Sequence, residues 1–243
     1  MIKKMFTAVL LSMGLVPACL LGQGFSGVSV ETALMNKYIW RGIVVTGEPV
    51  IQPSVTTGFG GLSFNVWGNI DLSDGENYDL DLNEVDYTLD YSAELGVVGL
   101  SAGAIYYSFP NTGVDGTTEL YAGLSISSVL NPSITLYRDV QEAEGTYVSL
   151  GIAPSIPLEA CNSSLDLSFS LGIGSDKHNS FYYGAAGSAV SDFMLGLSMP
   201  FSLSGNTSLT PSIAFVNLVD SDIRDAQASD GNVLVGLSFS TSF

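Results

Sequence analysis

The chain offers few residues from which covalent chemistry could be built. Its one histidine, His178, stands beside Lys177, with Ser175, Asp176 and Ser180 close by in sequence. A serine, a histidine and an acid form a working nucleophile and base only when a rigid frame holds them within hydrogen-bond reach. Here they share a single loop rich in Gly and Ser between two candidate strands, so a solvated surface histidine and no enzyme are expected. Two cysteines, Cys19 and Cys161, and one histidine are too few for a structural zinc site. No glycine-rich phosphate cradle occurs, and nothing implies a cofactor or a metal. Acid clusters at Asp74, Glu76, Asp79 and Asp81, and at Asp220, Asp222, Asp225 and Asp230, lack the spacing of a calcium-binding loop. They read as solvated loops, with divalent bridging to lipopolysaccharide as the alternative.

The remaining chemistry is that of charge placed on one side of alternating segments. Lys37, Arg41, Gln52, Asn69, Asp71, Glu84, Asp86, Tyr107 and Glu119 share one phase of the pattern, near the same end of the first six segments. Glu31, Asp90, Asp166 and Asp192 share that phase elsewhere. An arginine among carboxylates makes bidentate, charge-assisted hydrogen bonds. The negative surplus would favour cations at a constriction. A cluster that only neutralises itself and stiffens a wall accounts for the same residues, and both readings stand.

The elements that must position these groups follow from composition and period. Of 243 residues, 46% are hydrophobic and only 13% are charged, about half the charge of an ordinary soluble domain. The mean hydropathy is +0.35. Yet no stretch beyond the N-terminal segment offers the ~20 apolar residues of a spanning helix. The formal charge of −17 argues against nucleic acid. Lys3 and Lys4 before the apolar run Met5 to Val16 have the form of a secretory signal. Cleavage after Gly24, within Gly22-Gln23-Gly24, would leave residues 25–243 as one domain. Val16-Pro17-Ala18-Cys19 offers lipidation at Cys19 as the other route. Beyond Gly24 five cations face 24 acids, or −19, and Cys161 alone remains, so no internal disulfide can form.

The dominant period is two. In residues 62–72, Leu62, Phe64, Val66, Ile70 and Leu72 alternate with Ser63, Asn65, Trp67, Asn69 and Asp71. Twelve such segments are expected: 27–41, 49–59, 62–72, 83–93, 97–109, 117–127, 132–139, 146–156, 164–174, 189–203, 207–219 and 232–243. Short turns alternate with longer loops rich in acids and Gly. The chain closes on Phe243, an aromatic residue that suits recognition by the barrel-insertion machinery. Alternation over about ten residues with turns of alternating length is the mark of a transmembrane β-barrel. We therefore expect an all-β fold, a transmembrane antiparallel up-and-down β-barrel of about 12 strands, in contact with outer-membrane lipid and lipopolysaccharide.

In the first segment Tyr38 and Trp40 fall in the outward phase, as an aromatic girdle, with Lys37 and Arg41 inward. Many inward positions are Gly or Ser, including Gly103, Gly123, Ser168, Ser170 and Gly172. Small linings leave space for a narrow water-filled lumen. They also allow tight curvature around a lumen filled by loops or by larger groups such as Trp67. Twelve strands lie between the filled eight-stranded barrel and the open sixteen-stranded one, so both outcomes remain.

Four runs invite a comparison: Asn36 to Gly42 (NKYIWRG), Pro49 to Ser54 (PVIQPS), Gly61 to Asp71 (GLSFNVWGNID) and Glu84 to Tyr87 (EVDY). In order and spacing they resemble the TorF-type porin family, over about residues 33–125. The resemblance implies a barrel in the cell outer membrane and leaves the solute unspecified. The expected role is passive diffusion of small cationic or neutral solutes through a narrow acidic lumen. The competing expectation is a non-conducting structural or adhesive barrel whose acidic loops bind ions or partners.

Overall fold

The computed structural model describes residues 25–72, 81–227 and 231–243. The signal segment, Asp74, Glu76, Asp79 and Asp230 lie outside the described residues. Among the described residues there are sixteen strands: β1 (Phe25–Met35), β2 (Tyr38–Trp40), β3 (Ile43–Thr46), β4 (Val50–Phe59), β5 (Leu62–Asp71), β6 (Asp81–Leu95), β7 (Val98–Ser108), β8 (Thr117–Ile126), β9 (Ser133–Asp139), β10 (Thr146–Ile152), β11 (Ser155–Leu158), β12 (Ser163–Gly174), β13 (Ala189–Ser198), β14 (Phe201–Ser204), β15 (Thr207–Leu218) and β16 (Asn232–Ser242). Among the described residues two short α-helices, α1 (Asp176–His178) and α2 (Ser221–Gln227), sit in loops, and α1 runs on into a π-helical turn over Asn179–Tyr183.

Twelve of these strands close into one antiparallel ring. Each of β4 to β10 pairs with its sequence neighbour. The ring passes from β10 to β12, on through β13 and β15 to β16, and returns by β16 pairing with β1. The short β11 and β14 extend the staves of β10 and β13 by pairing with β12 and β15. Closure follows from the constraint on any barrel whose outside is greasy: each backbone N–H and C=O finds its partner on a neighbouring strand, so no edge is left.

Alternation decides which side is which. Along β8, Thr117, Glu119 and Tyr121 are buried, whereas Leu120, Ala122 and Leu124 are exposed. Along β9, Thr135, Tyr137 and Asp139 point in while Ile134 and Leu136 point out. The exposed set is rich in large apolar residues, among them Leu89, Leu195, Val235 and Phe239, and the buried set holds Glu84, Asp86, Asp90, Glu119, Asp139, Asp166 and Asp192. This is the inverse of a soluble protein, in which burial selects apolar groups. The eleven segments expected after the first match these staves, with ends shifted by a few residues.

The first segment does not. It ends as a wall strand at Met35, where the Asn36 side chain donates to Val233 O and accepts from Val235 N on β16. From there the chain turns into the lumen, so β2 and β3 pair only with each other. Tyr38 and Trp40 are buried within the barrel and form no outer girdle. Their alternation is that of a strand, but of a two-stranded hairpin whose both faces are covered.

In phospholipid vesicles the outer belt meets acyl chains. Leu136→Arg, at the centre of β9, should lower the unfolding free energy by about 2–4 kcal/mol. Equilibrium denaturation of the vesicle-inserted protein measures this.

Candidate functional site

The lumen at the long-loop end is filled by a tongue of chain, residues 36–49. β2 and β3 are joined by the two-residue turn Arg41-Gly42, with φ of 47° and 84°. Positive φ at both central positions is the tight hairpin turn that matches strand twist. Glycine takes the second position freely, and a side chain there would overlap Leu218. Arg41 takes the first at a cost of about 1–2 kcal/mol for an L-residue, which its side chain must offset. The hairpin's other foot is held where Thr46 donates to Asp71.

Arg41 offsets it by pairing. Its Nη1 and Nη2 each donate at 2.7 Å to the two carboxylate oxygens of Glu119 on β8. Both side chains are almost fully buried, at 4% and 1% exposure. The guanidinium lies 4.5 Å from the Trp40 ring, 4.8 Å from Tyr137 and 4.1 Å from Tyr147, close enough for cation–π attraction to all three. Tyr107 donates to Glu119 at 2.9 Å. The backbone carbonyl of Arg41 accepts from the Tyr183 hydroxyl at 2.7 Å.

His178 completes the enclosure, and here the expectation of a solvated loop histidine is overturned. Its side chain is fully buried, stacked against Tyr147 and Trp40, with Nε2 3.1 Å from Arg41 Nη1. Burial, followed by the positive charge of Arg41, pushes its pKa down to about 3, so a neutral imidazole accepts from the guanidinium. The loop is rigid because its own groups anchor it. Ser175 caps α1 by accepting from His178 N, Asn179 donates to the Gly174 and Gly187 carbonyls, and Tyr182 donates to Asp139. Tyr183 packs with Leu218, Ala185 and Ile223 of α2, and Gln227 donates to the Tyr183 carbonyl. Three loops thus interlock over the mouth. Both ring nitrogens of His178 are engaged, Nε2 by Arg41 and Nδ1 by the Asn179 side chain.

The nine residues expected at a constriction separate into groups. Arg41, Tyr107 and Glu119 form the bonded centre. Gln52, Asn69 and Asp71 form a second chain, in which Gln52 donates to Asn69, and Asn69 and Asn83 donate to Asp71. Glu84 and Asp86 are buried beside Tyr38. Lys37 turns away and donates to Asn232 on β16. Reasoning from sequence missed the aromatic cage: Trp40, Tyr137, Tyr147, Tyr182 and Tyr183, together with His178. The inward phase of Tyr121, Tyr137 and Tyr147 is the signal that could have found part of it.

The small lining does not leave a bore at this level. Tyr147 lies across Gly172, where any Cβ would collide with its hydroxyl and with Asp192, and Tyr147 in turn donates to Asp192 at 3.0 Å. The glycine is the recess that receives a ring. Beside the hairpin a cavity of about 90 Å³ remains, lined by Met35, Lys37, Gln52, Ser149, Asp192 and Met194 among others.

The comparisons with known proteins bear on the fold. No family model matches the chain, and no curated protein matches it. Among solved structures it resembles the COG4313 outer membrane channel from Pseudomonas putida F1, at 10% identity and a TM-score of 0.54, covering 95% of this chain and 100% of that one. It also resembles the NanC porin, at 10% identity and a TM-score of 0.52, covering 89% and 98%. What the chain shares with these two channels is the fold, a closed antiparallel β-barrel.

Removing one partner of a buried pair leaves the other charge unpaired. Glu119→Gln should therefore weaken docking of the hairpin by about 3–5 kcal/mol and expose the Arg41 peptide bond to trypsin. Acid should act in the same direction. Free of the cage, His178 titrates near its usual 6.5; docked, it resists protonation down to about 3. Docking is thus fully stable above pH 6.5 and should weaken as pH falls toward 3, by up to about 1.4 kcal/mol per unit. Hydrogen exchange of residues 175–188 at pH 7.5 and pH 4.5 reports this, and His178→Gln should flatten the dependence.

Proposed function

We propose that the chain is an outer-membrane, porin-like channel of the TorF type, which passes small cationic or neutral solutes by passive diffusion and performs no covalent chemistry. Residues 1–24 act as its export signal. One observation carries the reading. Within a closed wall, Glu84, Asp86, Asp90, Asp166 and Asp192 face inward without an ion pair among the described residues, and Arg41 is committed to Glu119. Rings of acid lower the energy of a cation in a narrow pore and raise that of an anion. The apolar belt supplies the complementary requirement, a surface for the acyl chains of an outer membrane whose lipopolysaccharide the acidic loops would meet through divalent ions.

The filled mouth favours a second reading, a structural barrel that does not conduct. In that case the Arg41–Glu119 pair would serve as reinforcement of the wall.

Planar-bilayer recording of the refolded protein separates the two. Steady single-channel steps are expected, with a reversal potential in a KCl gradient displaced toward that of potassium. Arg41→Ala should raise the conductance several-fold by freeing the hairpin. Anion preference overturns the selectivity, and silence in both proteins overturns the channel.

A further inference from the structure

Arg41 is held as a bound solute would be held. Of the groups that recognise its guanidinium, only Trp40 belongs to the hairpin. Glu119 is on β8, Tyr137 on β9 and Tyr147 on β10, three adjacent staves of the wall, and His178 comes from another loop. The strands β2 and β3 pair only with each other, so the hairpin can leave without breaking the strand-to-strand ladder of the wall, giving up side-chain bonds such as Thr46 to Asp71 and Lys37 to Asn232. What it would leave behind is the Glu119 carboxylate, 1% exposed while Arg41 covers it, set beside the Tyr137 and Tyr147 rings, with the Tyr107 hydroxyl already donating to it. A buried carboxylate without a cation is costly, so the emptied cage has a built demand for a positive guest.

The chemistry of the cage specifies that guest. Two carboxylate oxygens accept in parallel, each at 2.7 Å, from the two arms of one planar group. Aromatic rings approach at 4.1–4.8 Å, and a neutral imidazole nitrogen accepts at the edge. A guanidinium satisfies all three at once, through its rigid fork and its flat, weakly hydrated face. An ammonium is a point donor that can neither span the carboxylate in parallel nor stack.

We propose that Glu119, Tyr107, Tyr137, Tyr147 and His178 form a binding site for solutes bearing a guanidinium group, and that Arg41 occupies it as an internal stand-in. A guanidinium solute competes with Arg41 for the cage and releases the hairpin from the lumen. The consequence for transport rests on the channel reading, whereas binding at the cage does not. Because a tethered group competes at an effective concentration of about millimolar or above, the free solute acts in that range or higher.

The test uses methylguanidinium and methylammonium on the refolded full barrel, with Trp40 fluorescence as reporter in a Trp67→Phe background. In Arg41→Ala, methylguanidinium should bind saturably and at least about tenfold more tightly than methylammonium, and adding Glu119→Gln should abolish the difference. With Arg41 present, methylguanidinium and not methylammonium should make the Arg41 peptide bond sensitive to trypsin, a readout independent of how the alanine variant folds. Equal binding of the two amines, or trypsin resistance unchanged by methylguanidinium, overturns the site. Conductance without selective binding overturns the cage and leaves the channel. Selective binding with electrical silence supports the cage and overturns the channel.

Discussion

The mouth of this barrel is organised by a single buried ion pair. Arg41 and Glu119 meet where water is nearly excluded, so each would be costly alone and together they fix the position of everything near them. A pair of this kind stabilises little relative to apolar side chains, but it discriminates strongly between one docked geometry and all others. The unfavourable φ at Arg41 and the stacking of Trp40 and Tyr147 follow from placing that guanidinium there, and its charge adds to burial in keeping His178 neutral.

Around this centre the wall and the tongue divide the work. The wall satisfies its own backbone through an unbroken ladder and turns its apolar side chains outward. Its interior is therefore free to carry polar groups that an ordinary core would reject. The tongue and the loop of residues 175–188 then build a small core of their own inside that polar lining. Tyr38, Trp40 and Val50 pack with Trp67 and Tyr182, and Tyr183 packs with Leu218 and Ile223.

The fold was legible in the sequence because the signal of a barrel is periodic and repeated. A strand with one face to an apolar exterior and one to a polar interior must alternate, and β8, β9 and β16 do so almost without exception. The inward placement of Glu84, Asp86 and Glu119 follows from the same phase, whereas Arg41 reaches the lumen on the turn of a hairpin that has left the wall. The part that was not legible concerns Asn36 to Pro49. Tyr38 and Trp40 continue the alternation of β1, so period alone cannot reveal that the chain leaves the wall at Asn36. His178 was misread for a related reason. A loop of small and polar residues carries no periodicity, and its order comes from caps and from tyrosines that meet Asp139 and Arg41 across long distances in sequence. The recessed glycines mislead in the same way, since a residue type reports its own volume and not that of the ring placed over it.

The seam of the ring lies between β1 and β16, where Val28 and Phe243 exchange backbone hydrogen bonds. The two strands that must meet are thus the first and last parts of the barrel to be synthesised. The early staves can zip to one another, but both outer rims stay unsatisfied until β16 joins β1. Assembly must therefore pass through a sticky, half-curled sheet whose two rims, and not merely its greasy surface, need shielding until the clasp is made.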